Sequence, residues 1–285
     1  MRTIASGLVV AATVAACAHP TPKEPPKEPS MFAEGDSYEQ FMGRWSRLLA
    51  PSFVTFAGIR DGNAVLDVGS GTGVLSLAVR DTDPSGTIEG IDLSPAFVDY
   101  ATKHHADARI HFQVGDAQKL AFPDATFDAA LSLLVLNFVP DPTLAIHEMR
   151  RVTKPGGTIA AAVWDYGGDM EMLRIFAEEV SAFDPQFVTD ERKMPLGRPG
   201  KLLELFRAGG LDQVEEKAIE TPLHFASFDD YWRPFLLGTG PGGAYVVKLT
   251  PERRDALAAR LRKRLGDGPF DLKGRAWAVK GTVPR

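Results

Sequence analysis

The residues best suited to chemistry lie in one stretch, Asp67-Val68-Gly69-Ser70-Gly71-Thr72-Gly73. Before it, Ala64 to Val68 is mostly apolar and β-branched; behind it, Val74 to Val79 carries an apolar helical pattern. That order describes a buried parallel strand, a tight turn and a helix N-terminus. Glycines let backbone N–H groups come close to a ligand where a Cβ would intrude. The start of the helix favours a carboxylate or phosphate placed above it. The turn therefore suits a nucleotide-like ligand.

A dinucleotide-binding turn reads Gly-x-Gly-x-x-Gly, the third glycine allowing close helix–strand packing. In the frame from Gly69 that place holds Val74, and in the frame from Gly71 it holds Ser76, so a nicotinamide-dependent oxidoreductase is disfavoured. A P-loop needs Gly-Lys-Ser/Thr, and this turn has no lysine. An acidic residue two positions before Gly69, followed by Gly-x-Gly-x-Gly, instead resembles motif I of the class I S-adenosylmethionine-dependent methyltransferases. The resemblance implies S-adenosyl-L-methionine as cofactor, held around Asp67, Gly69, Ser70, Gly71 and Gly73.

Further acidic residues fall where strands should end. Thr87 to Ile91 reads as a strand ending at Asp92, and the following helix has Ser94 as its cap and Pro95 at its first position. Asp92 is thus not needed as a cap. A carboxylate at a strand's carboxyl end, roughly 20 residues past the glycines, suits two charge-assisted bonds to ribose hydroxyls. Leu93 joins it in the implied cofactor set. Arg109 to Val114 reads as the third strand, and the family pattern would put Asp116, with Ala117, beside the adenine amino group. The alternative for Asp116 is a cap of the turn Ala117 to Leu120. Phe127 to Leu133 is the fourth strand, and Ser132 and Leu133 would give backbone contacts to the methionine part.

These residues need a scaffold. Strand-to-helix alternation on this spacing predicts an α/β protein with a doubly wound parallel sheet. Asp141-Pro142 starts a helix through Val152, Thr153 to Gly157 turns, and Thr158 to Trp164 forms the fifth strand. The Phe-Asp-Ala-Ala strand and the Arg-Val-Thr-Lys-Pro-Gly-Gly turn resemble the branch containing quinone-biosynthesis methyltransferases, over about Asp36 to Trp164. That implies a seven-stranded, mostly parallel, Rossmann-like sheet with a helical cap. Its last strands, Gln213 to Thr221 and Phe270 to Gly281, would form an antiparallel hairpin with the seventh inserted. The methyltransferase domain is read as 36–285, with a cofactor half at 36–165 and a cap plus sheet-edge hairpin at 166–285.

Tyr38 to Ala57 has apolar residues at helical spacing, with Arg44 and Arg47 opposite. It is a candidate lid, in which Arg44 would reach the methionine carboxylate. Trp164, Tyr166, Trp232 and Phe235 read either as core or as an aromatic pocket for a small or lipophilic methyl acceptor. Methyl transfer needs mainly alignment, so no catalytic residue is assigned, and Asp165 is the single candidate for a general base. The loop Gly238 to Gly243 reads as a flexible cover or plain turn. Arg260, Arg262, Lys263 and Arg264 crowd one helix, as a solvated face or a contact for an anionic membrane. The six histidines show no metal spacing, and His104, His105 and His147 read as solvated.

A net charge of −5 gives no sign of a nucleic-acid partner, and 44 % hydrophobic with 24 % charged residues is a globular composition. No apolar run reaches the ~20 residues of a membrane span. Ile4 to Ala16, after Arg2, has the length and flank of a secretory signal (1–17), and Val-Ala-Ala-Cys resembles a bacterial lipoprotein cleavage box ending at Cys17. Cys17 is the sole cysteine, and a Pro/Lys/Glu tether follows within 18–35. Together these predict a membrane-anchored lipoprotein, in which the fold could also serve as a binding scaffold. The alternative is a start at Met31 and a cytoplasmic enzyme. Oligomeric state is not encoded in any of these features.

Overall fold

The computed structural model describes residues 35–186 and 194–285. The signal segment 1–17, its Cys17 and nearly all of the tether lie outside the described residues.

Seven strands form one sheet: β1 (Ala64–Val68), β2 (Thr87–Asp92), β3 (Ile110–Val114), β4 (Phe127–Leu133), β5 (Thr153–Trp164), β6 (Asp212–Phe225) and β7 (Phe270–Thr282). They lie in the order β3-β2-β1-β4-β5-β7-β6. The first five run parallel, while β7 is antiparallel to both β5 and β6. The expected hairpin with an inserted last strand is therefore present, and both of its strands run past the expected ends. Strand β4 is buried almost throughout because helices cover both faces, which is why its sequence after Asp128 is apolar except for Ser132.

Chain order reverses between β1 and β4, opening a crevice at the carboxyl ends of these strands. Helices α3 (Val74–Thr82), α4 (Pro95–His104) and α5 (Pro142–Val152) follow β1, β2 and β4. The cap signals worked as read: Phe97 N donates to Ser94 Oγ and Leu144 N to Asp141 Oδ1, with proline at each first turn.

The N-terminal helix is not regular. Gly35–Tyr38 (α1) leads into a π-turn, Glu39–Gly43, before α2 (Arg44–Ala57). Such turns recur at functional sites. Helix α2 buries Trp45, Leu49, Phe53 and Val54 in the larger core and ends at left-handed Gly58. Helices α6 (Glu171–Phe183), α7 (Lys201–Ala208), α8 (Phe228–Trp232), α9 (Gly240–Lys248) and α10 (Pro251–Leu265) complete the cap half.

One expectation changes here. The glycine-rich run after Leu237 is not a loose cover but the start of α9. Its glycines are there for close packing: a Cβ on Gly242 would lie 2.9 Å from Phe176 Cε1, and one on Gly243 2.8 Å from the Gly238 carbonyl carbon. The arginine face of α10 is exposed, as a solvated face would be, and its charges are paired within the chain. Arg260 pairs with Glu179, Arg264 with Glu178 and Glu179, and Arg262 with Asp229 and Asp267. Among the described residues no helix is long and apolar enough to cross a membrane.

Candidate functional site

The glycine bend joins β1 to α3 and is pinned to the next strand. Gly69 and Ser70 both donate backbone N–H groups to the Ile91 carbonyl at 2.8 Å. Gly71 N donates to Asp92 Oδ2 at 2.9 Å, and Ser94 N to Asp92 Oδ1 at 2.8 Å. Each carboxylate oxygen has further lone-pair capacity, enough for two hydroxyls. Burial pushes the Asp92 carboxyl up, and the Ser94 and Gly71 N–H groups work against that shift.

The bend has one closed side and one open side. A Cβ on Gly69 would sit 2.4 Å from Val135 Cγ2, so glycine there lets the turn after β4 lie against the bend. Around Gly71, φ +51°, a Cβ would meet nothing within 4 Å. That opening is where a ligand can approach the backbone. Beneath it Asp67 is 1 % exposed. Its Oδ2 accepts the Ser76 hydroxyl at 2.7 Å, and its Oδ1 has no partner among the described residues. Burial, with the charge of Asp92 adding to it, pushes Asp67 up to about 7. Ser76, which breaks the dinucleotide pattern, is thus the residue that holds this acid.

The other predicted residues divide into those at the strand tips and one that faces the cap. Leu93 is 70 % and Val114 54 % exposed, so the tips of β2 and β3 present apolar surface beside Asp92. Asp116 Oδ1 accepts Gln118 N at 2.8 Å and Gln118 Nε2 at 3.2 Å, closing the turn that the sequence offered as its alternative role. Ala117 packs against the buried apolar cluster that includes Leu120, Phe127 and Leu136. The Ser132 hydroxyl donates to the Val68 carbonyl at 2.9 Å, tying β4 to β1, and Leu133 ends β4. Arg44 is the exception. Its guanidinium donates to Asp230 Oδ1 at 2.7 Å and lies over the rings of Trp45 and Phe225, contacts that hold it to the cap.

Sequence reasoning missed several contacts to the bend. The Thr72 hydroxyl donates to Glu39, which also pairs with Arg47, so the π-turn is clasped to the glycines. Tyr38 is half-buried next to it, its ring 5.4 Å from Phe97 and its hydroxyl pushed up to about 12 by desolvation. His105 is not solvated: its Nε2 is 3.0 Å from the Thr72 carbonyl, which requires the proton on Nε2. Nothing in the spacing of Glu39 or His105 marks these pairings.

On the acceptor side Asp165 is 4 % exposed and its Oδ2 takes two bonds from Arg275, at 2.9 and 2.6 Å. This carboxylate anchors the turn after β5 and is not placed to act as a base. Trp164, Tyr166, Trp232 and Phe235 are all buried core residues. No group of three or more metal-ligating side chains occurs among the described residues.

With this geometry in view, residues 66–161 match the methyltransferase domain family. An uncharacterized protein of Mycobacterium tuberculosis is 33 % identical over 159 residues, which is 54 % of this chain and 57 % of that protein. The 2-methyl-6-phytyl-1,4-hydroquinone methyltransferase of Synechocystis is 36 % identical over 119 residues, 41 % of this chain and 37 % of the enzyme. The chain thus spans little more than half the length of these relatives at most. The phosphoethanolamine N-methyltransferase 2 of Haemonchus contortus, solved in complex with S-adenosyl-L-methionine, superposes with a TM-score of 0.55 at 19 % identity, over 90 % of this chain and 57 % of that one. Over residues 66–161 the chain matches the methyltransferase domain family, and in this region it is similar to methyltransferases of quinone biosynthesis.

Proposed function

We propose that this protein binds S-adenosyl-L-methionine across the tips of β1, β2 and β4 and transfers its methyl group to a small or lipophilic acceptor. The observation that carries the reading is the pairing of the open side of Gly71 with the carboxylate of Asp92. The residues fit the cofactor: Asp92 retains acceptor capacity for two ribose hydroxyls, and Asp67 offers a carboxylate oxygen without a donor beneath the bend. Leu93 and Val114 supply apolar surface for a base, and the backbone of Gly69 to Gly73 and of Ser132 and Leu133 would receive the amino-acid part. Asp116 would meet the adenine amino group through the oxygen less used by Gln118.

The bound sulfonium supplies an electrophilic methyl group. What the chain contributes is alignment and exclusion of water. Orientation alone is worth effective molarities above ~10⁵ M in favourable cases. The Glu39–Thr72 clasp covers the bend, and the cap half forms the wall on which the acceptor is chosen. Calorimetry with S-adenosyl-L-methionine, S-adenosylhomocysteine and NAD tests the reading. Saturable binding of the first two is the expected result, and a response to NAD alone would overturn it.

A further inference from the structure

We propose that the end of the sheet opposite the glycine bend holds a second ligand site, which takes a small organic anion on the guanidinium of Arg150. The ligand class is a carboxylate or phosphate ester with an apolar body. The site is separate from the crevice and does not depend on the methyltransferase reading.

The crevice lies at the carboxyl ends of β1 and β4. At the amino ends of β4 and β5 there is a cavity of about 410 Å³, within the roughly 300–1,000 Å³ of small-molecule sites. The last turns of α5 give it His147, Arg150 and Arg151, which stand three and four residues apart and so share one face of the helix. Ala125, Pro155 and Val283 supply apolar wall, and no carboxylate side chain is among the lining residues.

The two arginines differ in what holds them. Arg151 is committed to the fold. Its Nε and Nη2 donate to the Glu148 carboxylate and its Nη1 to Asp124, each at 2.8 Å. Its remaining N–H groups reach the Phe122 and Leu120 carbonyls, which uses all five donors. Arg150 has no acid within ion-pair distance among the described residues. Its Nη1 donates to the Gly209 carbonyl at 3.3 Å, and a Cβ on Gly210 would lie 2.8 Å from that nitrogen. The guanidinium is therefore aimed by neutral backbone, its charge uncompensated and its Nε and Nη2 left to donate to an anion. The planar fork suits a carboxylate or phosphate through two parallel hydrogen bonds.

A cation in the last turn of a helix ordinarily serves the carbonyls there. In α5 they are already served. Thr153 Oγ1 donates to the Met149 carbonyl at 2.7 Å. Ala125 N donates to Arg151 O at 2.9 Å and Thr126 N to Val152 O at 2.8 Å. Ala125 takes a φ of +52° where it makes this contact. Arg150 is thus not needed as a cap. An unpaired guanidinium, an imidazole one turn before it and an apolar wall without carboxylates select an anion that carries hydrocarbon, and they repel an amine.

Calorimetry of the full chain with benzoate, phenyl phosphate, inorganic phosphate and benzyl alcohol tests the site. Benzoate or phenyl phosphate should bind saturably, and the tighter of the two identifies the anion. Inorganic phosphate and benzyl alcohol each carry half of the ligand and should bind at least tenfold more weakly. Arg150→Gln and His147→Glu change exposed side chains, so both should melt close to the wild type while binding the better probe at least tenfold more weakly. Arg233→Gln removes an exposed cation on the cap and should change that affinity less than twofold. The bound probe should slow hydrogen exchange over residues 123–126 and 150–157, and S-adenosylhomocysteine should not displace it. No saturable binding, equal binding by Arg150→Gln and the wild type, protection confined to other residues, or displacement by S-adenosylhomocysteine overturns the site. Inorganic phosphate binding as tightly as the organic anions overturns the ligand class.

Discussion

The backbone N–H of Gly71 donates to Asp92 Oδ2 at 2.9 Å, joining two strand tips that are 21 residues apart in the chain. The bend and the acid expected to hold the ribose are thus set in register before any ligand arrives. Ile91 reinforces the arrangement by accepting from both Gly69 and Ser70. Pre-organisation of this sort lowers the ordering cost of binding.

Replacing Asp92 should therefore damage binding more than folding. Hydrogen bonds to a charged group contribute about 1.5–3 kcal/mol each, and two hydroxyls would lose theirs. Asp92→Ala is expected to weaken S-adenosylhomocysteine binding by roughly 100-fold, since each 1.4 kcal/mol is tenfold. Titration calorimetry reads this directly. A loss under threefold would remove the ribose role.

The glycines make a sharper contrast. Gly71→Ala meets open space, so only its left-handed φ of +51° opposes the change, by about 1 kcal/mol. Gly69→Ala must displace Val135 as well as adopt φ +76°. The expected result is a Gly71→Ala protein that melts within a few degrees of the wild type and binds cofactor poorly. Gly69→Ala should melt much lower. Thermal melts with and without S-adenosylhomocysteine separate the two, and equal melting points would contradict the packing at Val135.

Asp67 gives a pH dependence whose sign is fixed by burial. Its carboxyl rises from an ordinary value of 3.8 to about 7 in the folded chain. Between those values the folded protein keeps a proton that the unfolded protein has released. Stability falls as pH rises from about 4 to 7, and the deficit is complete above 7. A shift of about three pKa units bounds it at roughly 4 kcal/mol. Urea unfolding should show Asp67→Asn gaining on the wild type at pH 8 relative to pH 5. A difference between the two proteins that stays constant with pH would mean that Asp67 is not the titrating group.

How much of this was legible follows from where each interaction is encoded. The bend, Asp92 and the caps Ser94 and Asp141 are local: glycine spacing, strand ends and proline at the first helical turn carry them, and the structure has them where the sequence put them. The strand order was legible through resemblance, since propensity alone does not say that β7 enters between β5 and β6. Long-range pairings were not legible. Arg44 meets Asp230 across 186 residues and Asp165 meets Arg275 across 110, and no local pattern records either contact. Helix α9 was hidden because glycines normally argue against helix. Here they are required by Phe176 and the Gly238 backbone, a packing demand visible only in three dimensions.

The clasp between Thr72 and Glu39 links the N-terminal segment to the same bend. Thr72 lies in the turn between two glycines, and its hydroxyl donates to a carboxylate in the π-turn Glu39–Gly43 that Arg47 also engages. Tyr38 packs beside it against Phe97, so this short segment lies on the bend through polar and aromatic contacts together, while Phe41 packs edge-on against Phe235. Thr72→Val keeps the β-branched shape and removes the hydroxyl. It should raise hydrogen exchange over residues 35–43, where amides report local opening, and leave exchange in β1 and β4 unchanged. If the segment is a cover, the variant should also release S-adenosylhomocysteine several-fold faster, measured by stopped-flow displacement. Faster exchange without faster release would make the clasp purely structural, and no change in either would mean that the segment's apolar contacts hold it down without the hydroxyl.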